Sequence, residues 1–183
     1  EIKLSVHSGA GGSGSVSFKK TSSKSSPSGG SGGDGGSVII RVNEELNDLS
    51  HIISNSSLKA ENGTDGNKNF QNGRKGKDLI IEVPKGTKIV VDDEVYADLH
   101  ENNSSFIVLE GSKAGRGNYD LISKRVPNPQ FCEHGEKRKK IEIKLTYSIY
   151  SDLVIVGLPN AGKSTLITKL TNSKAQIADY EFT

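Results

Sequence analysis

Residues 29–37 read GGSGGDGGS and run directly into Val38-Ile39-Ile40. Gly29, Gly32 and Gly35 form one row of period three, and Gly30, Gly33 and Gly36 form another. The same spacing recurs at Gly9/Gly12, Gly11/Gly14, Gly63/Gly66 and Gly73/Gly76, and Ala114 stands midway between Gly111 and Gly117. A polyproline II helix has three residues per turn, so a period-three glycine row lines one side of it. Such bare faces can pack backbone to backbone and satisfy N–H groups between segments rather than within them. A flexible linker would need no period. A collagen tract would be long and proline-rich, whereas these repeats are short and interrupted, with 5 prolines in the chain. The periodicity therefore favours a packed glycine sheaf. The linker reading is kept for the serine-rich tract TSSKSSPS at 21–28.

Between the glycine segments the chain reads as strands. Ile2, Leu4 and Val6 alternate, and Val38–Ile40, Leu79–Val83, Lys88–Val91 and Phe106–Leu109 are β-rich runs. Lys140–Tyr147 puts Ile141, Ile143, Leu145 and Tyr147 on one face. Pro84-Lys85-Gly86 and Asp92-Asp93-Glu94 read as turns. No segment before residue 150 carries a helical period. These features predict a small all-β barrel bearing a glycine-rich projection over residues 1–150.

A different pattern follows. Residues 157–165 read GLPNAGKST, which satisfies G-x-x-x-x-G-K-[ST] at Gly157, Gly162, Lys163 and Ser164. Asp152–Val156 ahead of it is a short apolar run suited to a buried parallel strand. Leu166, Ile167 and Leu170 behind it have helical spacing. Gly157 and Gly162 allow a tight turn and close approach to phosphate oxygens. The loop N–H groups and the helix N-terminus bind anions. Lys163 can bridge terminal phosphates, and the Ser164 hydroxyl is placed to ligate Mg²⁺. Residues 151–183 thus read as the start of an α/β nucleotide-binding domain. Such a domain needs several βαβ units, so the chain is expected to be a fragment of a longer protein and inactive by itself.

Composition narrows the setting. The 183 residues carry a net charge of +2 and 32% hydrophobic residues, with 19 of the 21 glycines before residue 150. The charge is too small to demand a nucleic-acid partner. One cysteine excludes an internal disulfide and fits a reducing compartment. The longest apolar runs are about five residues, far short of a membrane span. Cys132 and His134 lack a second ligand pair, so they read as loop residues rather than a metal site. His7, His51 and His100 are isolated.

These residues together resemble the Obg GTPases, a family of bacterial and organellar ribosome-associated proteins. The resemblance is carried by Gly9–Gly14 with Val16-Ser17-Phe18, SGGSGGDGGSVII at 28–40, KAENG at 59–63, and GRKGKDLIIEVPKGT at 74–87. GRGN at 115–118, FCEHGE at 131–136, GLPNAGKST and IADYEFT at 177–183 extend it over nearly the whole chain. Glu181 stands where the family usually has proline, and Ser8, Ser31 and Ser112 where it often has other small residues.

The resemblance implies a mixed fold: a polyproline II sheaf on a small β-barrel, then a Ras-like P-loop GTPase domain. It implies GTP and GDP binding, Mg²⁺, slow hydrolysis, and a role in assembling the large ribosomal subunit. It also implies a monomer off the membrane, in the bacterial cytoplasm or an organellar matrix or stroma. Some members bind (p)ppGpp. Carried onto this sequence, nucleotide contacts fall on Gly157, Leu158, Pro159, Asn160, Ala161, Gly162, Lys163, Ser164 and Thr165, with Ser164 on Mg²⁺. Phe182 and Thr183 open the first switch. Asn160 matches an asparagine that potassium-activated GTPases carry, so it reads either as placing K⁺ beside the phosphates or as only stabilising the loop turn. Lys19, Lys20, Arg74, Lys75 and Arg116 are candidate contacts to ribosomal RNA. Lys137-Arg138-Lys139-Lys140 is a further candidate, though a charge run of this kind is more often a solvated face. Three function classes stay open: a ribosome-assembly GTPase, a non-catalytic ribosome-binding module with an incomplete nucleotide site, and another NTPase fused to a glycine module.

Overall fold

The computed structural model describes residues 1–21, 24–101, 104–147, 155–158 and 161–170, without the side chains of 21, 164, 167, 168 and 170. It divides into two compact units, Glu1–Ser148 and Ile149–Thr183. In the first, ten strands are β1 (Ile2–His7), β2 (Phe18–Thr21), β3 (Lys24–Pro27), β4 (Val38–Val42), β5 (Ser56–Lys59), β6 (Leu79–Val83), β7 (Thr87–Val91), β8 (Glu94–Leu99), β9 (Ser105–Leu109) and β10 (Lys140–Tyr147). The second holds one helix, α1 (Lys163–Leu170).

The strands form where apolar residues alternate. Leu4, Val6, Ile143 and Leu145 are buried and their neighbours face out, so β1 and β10 share one inward face. Ladder order is β5-β1-β10-β7-β8 in a five-stranded sheet and β6-β4-β9 in a three-stranded one. Val38, Ile40, Val42, Ile81, Val83 and Val108 of the smaller sheet join Leu4, Val6, Ile89, Ile143 and Leu145 in a single core. The sequence predicted a barrel. Among the described residues no hydrogen-bonded ladder joins the two sheets, which instead face each other across that core.

Two turns set the path through β6, β7 and β8. Gly86 has φ 86, the left-handed value that the third residue of a type II turn requires, and Thr87 Oγ1 donates to the Pro84 carbonyl at 2.7 Å. Asp92 and Asp93 have φ 50 and 64 between paired Val91 and Glu94, a two-residue hairpin turn with both central residues left-handed. The acidic trio is thus a turn, as expected. The serine-rich tract at 21–28 is not a linker: Lys24–Pro27 pairs antiparallel with Phe18–Thr21. Period-two patterning cannot flag such a strand, because only Pro27 of it is buried.

The glycine segments 8–15, 29–37, 60–67, 71–78, 111–117 and 133–139 are neither strand nor helix, yet their backbones are bonded to one another. In 8–15, Gly9, Gly12 and Ser15 donate to the carbonyls of Gly36, Gly33 and Gly30, while Gly11 and Gly14 donate to Glu136 and Glu133. Ser8 donates to the Lys139 carbonyl, and the two remaining N–H groups go to side chains: Ala10 to Asn62 Oδ1 at 3.0 Å and Ser13 to Asp65 Oδ1 at 2.6 Å. Segment 29–37 repeats the scheme, with Gly30, Gly33 and Gly36 donating to Asn67, Thr64 and Glu61, and Ser31 and Ser37 to the Oδ1 atoms of Asn72 and Asp78. Each third position must be bare: a Cβ on Gly33 would overlap the Arg74 carbonyl, and one on Gly12 the Thr64 carbonyl.

The strand registers run on unbroken into these segments. β4 pairs with β6 at an offset of 41 positions, and Ser31–Asn72 and Ser37–Asp78 keep that offset. β1 pairs with β5 at an offset of 52, kept by Ala10–Asn62 and Ser13–Asp65. The glycine projection is therefore a continuation of the sheets, with its direction set by them.

Candidate functional site

The loop ahead of α1 starts from local geometry. Gly162 has φ 78, and a Cβ there would meet open space, so conformation rather than crowding selects glycine. The first helical bond runs from the Leu166 N–H to the Gly162 carbonyl at 2.9 Å. The N–H groups of Lys163, Ser164 and Thr165 thus lack partners within the helix and carry its positive end. Lys163 Nζ folds over the loop and donates to the carbonyls of Gly157 at 3.0 Å and Leu158 at 2.8 Å. One ammonium and one turn of bare N–H groups therefore share a small space, an arrangement suited to phosphate oxygens.

The preceding strand is different from the sequence reading where it is described. Residues 155–158 carry no strand, and Val156 is 89% exposed. A buried parallel strand needs neighbours on both sides, and among the described residues none pairs with it. Pro159, Asn160, Phe182, Thr183 and the side chain of Ser164 lie outside the described residues. Among the described residues the helix spans Lys163–Leu170, which includes the helically spaced Leu166, Ile167 and Leu170.

The cations proposed for RNA lie on three separate elements. Lys19 and Lys20 sit on β2, opposite Ser26 and Ser25, and are exposed. Arg74 and Lys75 are exposed on segment 71–78, with Lys75 Nζ 3.6 Å from Asp78 Oδ1. Arg116 is committed elsewhere. Its Nε and Nη2 donate to the two Glu133 oxygens at 2.9 and 2.6 Å, and its backbone N–H donates to Oε2 at 3.2 Å. The Arg116 hydrogen bonds hold the Glu133 carboxyl down at about 2, and Glu133 raises Arg116 in turn. Arg116 is thereby a neutralised member of a bidentate pair.

Sequence reasoning missed the residues that hold the glycine frame. Asn118 is fully buried, accepting from Gly29 N–H and donating Nδ2 to the carbonyls of Ser17 and Pro129, both at 3.1 Å. Asp34 Oδ1 accepts the Ala114 N–H at 2.8 Å. A signal was present: Asp34, Asn62, Asp65 and Asn72 each directly precede a glycine. Among the described residues, no group of three or more histidine, cysteine or carboxylate side chains is placed to hold a metal, and no helix is long and apolar enough to cross a membrane.

Comparison with known proteins matches each part. A family described as GTP1/OBG matches residues 1–149, and one described as 50S ribosome-binding GTPase matches residues 152–183. The chain is 42% identical over 186 residues to GTPase Obg of Nautilia profundicola, covering 100% of this chain and 52% of that protein. GTPase Obg of Karelsulcia muelleri is 41% identical, with 100% and 57% covered. That of Bacillus licheniformis is 37% identical, with 100% and 44% covered. The chain spans about half the length of the curated relatives it matches. With the glycine frame and its strands matched end to end over residues 1–149, the chain belongs to the GTP1/OBG family.

Proposed function

We propose that this chain is the leading part of a GTP-binding, slowly GTP-hydrolysing protein that acts in assembly of the large ribosomal subunit. Residues 1–150 form the glycine-rich part, its segments polyproline II helices, and residues 151–183 open an α/β GTPase domain. The observation that carries this reading is Lys163, held over the Gly157 and Leu158 carbonyls at the mouth of α1. When nucleotide enters, Lys163 Nζ exchanges those carbonyls for terminal phosphate oxygens. The N–H groups of 163–165 orient the same phosphates. The residue set fits a hydroxyl-ligated cation, with Ser164 supplying the oxygen. Bound Mg²⁺ neutralises charge that builds on the phosphate oxygens. Asn160 would hold K⁺, which would supply further positive charge beside the phosphates, and Phe182 and Thr183 would open the switch.

Hydrolysis by such a site depends on positioning and charge stabilisation more than covalent chemistry. The names of the relatives and of the second matched family support guanine nucleotide as ligand and the large subunit as partner. Lys19, Lys20, Arg74 and Lys75 supply the RNA contacts, and (p)ppGpp competes for the nucleotide site. The test uses the longer protein that carries this chain. Phosphate release from GTP is measured with K⁺ or Na⁺, with and without large subunits. Hydrolysis that is faster in K⁺ and lost in Lys163→Ala supports the reading. Equal rates in both cations remove the Asn160 role, and an absence of nucleotide binding overturns the proposal.

A further inference from the structure

β1 lies between β5 and β10, and all three meet glycine segments at the same end. There the registers pair His7 with Lys59 on one side and with Lys140 on the other. Leu4 and Val6 take the inward positions of β1, so this cross-strand row faces outward. Neighbouring strands are about 4.8 Å apart, so three nitrogen bases span roughly 10 Å. Arg138 adds a fourth, with Nη2 3.5 Å from Asn62 Oδ1.

The backbone beneath is rigid. Ala60 N–H donates to the His7 carbonyl, Ser8 N–H to the Lys139 carbonyl and Lys139 N–H to Ser8 Oγ, each at 3.0 Å. The side chains above it are exposed at Lys59, Arg138 and Lys140. One carboxylate meets the row: Glu142 lies 3.1 Å from Lys140, a solvent-exposed pair that contributes little. Burial lowers the His7 pKa, and Lys59, Lys140 and Arg138 lower it further. Ser57, Ser5 and Glu142 form the next outward row, so two hydroxyls and one carboxylate stand beside the cations, with Ser5 Oγ 3.5 Å from His7 Nε2.

Lys59 and Lys140 flank His7 rather than facing each other, and the lowered His7 pKa favours its neutral form, so the row sets cations on both sides of an imidazole. Among the described residues Glu142 is the carboxylate in an ion pair with these cations, so Lys59, Arg138 and Lys140 leave a net positive patch that an external anion can match. Cations backed by hydroxyls are the contact set of a phosphodiester chain. We propose that the Lys59–His7–Lys140 row with Arg138 docks the phosphate backbone of RNA, at the junction of the five-stranded sheet and the glycine segments. The partner class rests on the ribosomal reading above; Arg138 and Lys140 come from the basic run noted in the sequence, and the strand register adds Lys59 and His7 to them.

The test compares the full chain with two variants, Lys59→Gln/Arg138→Gln/Lys140→Gln and Arg74→Gln/Lys75→Gln. Binding to a short RNA hairpin and to large ribosomal subunits is followed across a salt series. The junction variant should flatten the slope of log affinity against log salt for the hairpin by about 2 to 3. Lys59→Arg/Lys140→Arg should keep the slope, which a merely structural lysine would not predict. In wild type the His7 pKa, read by NMR, should rise on RNA binding. An unchanged slope in the junction variant, or polyglutamate competing as well as RNA, overturns the proposal. Subunit binding that depends on Arg74 and Lys75 alone leaves the ribosomal reading intact and this one refuted. Hairpin binding through the row without subunit binding does the reverse.

Discussion

The carboxamide of Asn118 accepts the backbone N–H of Gly29 at 2.8 Å, and a Cβ on Gly29 would come within 2.6 Å of that same oxygen. The two positions are therefore specified together, 89 residues apart in the chain. Replacing Asn118 by Leu removes the acceptor for Gly29 and the donor for the Ser17 and Pro129 carbonyls, all in a fully buried place. Each buried group left unpaired costs about 1–3 kcal/mol. Asn118→Leu should destabilise the first unit by about 2–4 kcal/mol, read as a lower urea midpoint. A midpoint within experimental error of wild type refutes the bonding scheme.

Glycines in this chain serve two different needs, and substitution separates them. A side chain at Gly33 meets the Arg74 backbone carbonyl whatever its chemistry. Gly33→Ala and Gly33→Asn should both cost about 3 kcal/mol or more, since the packed segments must part. Gly86 is set apart by its φ of 86, a value that strains a residue with a Cβ. There asparagine tolerates the left-handed region better than alanine, so Gly86→Asn should be milder than Gly86→Ala, which costs about 1–2 kcal/mol. Thermal melts of the four variants give the comparison.

The Arg116–Glu133 pair predicts a pH dependence. Glu133 is held at about 2, below its ordinary 4.5. A depressed carboxyl contributes stability above the unfolded value, and that contribution is lost as pH falls from about 4.5 towards about 2. The difference in stability between wild type and Glu133→Gln should be constant above that window and vanish within it. Because both side chains are partly exposed, at 59% and 42%, added salt should shrink the difference.

The same pair alters the expected contribution of Arg116 to RNA binding. Its charge is already matched by Glu133 in a bidentate bond. Arg116→Gln should change the salt slope of ribosome binding by less than Arg74→Gln does, where about one unit is expected. Equal losses at both positions would mean that RNA displaces Glu133.

Lys163→Ala should reduce guanine-nucleotide affinity of the longer protein by about 10²-fold or more, the scale on which a buried or phosphate-bound charge counts. Fluorescent nucleotide titration reads this directly. An unchanged affinity would place the phosphates away from the Lys163 ammonium.

Much of the strand layout was legible because burial repeats with period two. Leu79–Val83 and Lys140–Tyr147 coincide with β6 and β10 for that reason. β5 and β3 were not legible, since Ser56–Lys59 and Lys24–Pro27 bury too little apolar surface to leave a pattern. The G-x-x-x-x-G-K-[ST] loop was readable as a motif, because its spacing is a property of local sequence and Gly162 takes a left-handed φ. The commitment of Arg116 to Glu133 was not, because a charge in a sequence carries no record of its partner.

By itself the sequence determined the period-three glycine rows, the alternating strands and the G-x-x-x-x-G-K-S loop. These are properties of local sterics, which act over a few residues. Only the tertiary structure decided that Gly9, Gly12 and Ser15 bond to Gly36, Gly33 and Gly30, that Asn118 backs Gly29, and that Lys59, His7 and Lys140 share a row. The physical reason is register. Once β1, β4, β5, β6 and β10 bury their apolar faces in one core, their offsets are set, and the glycine segments inherit those offsets.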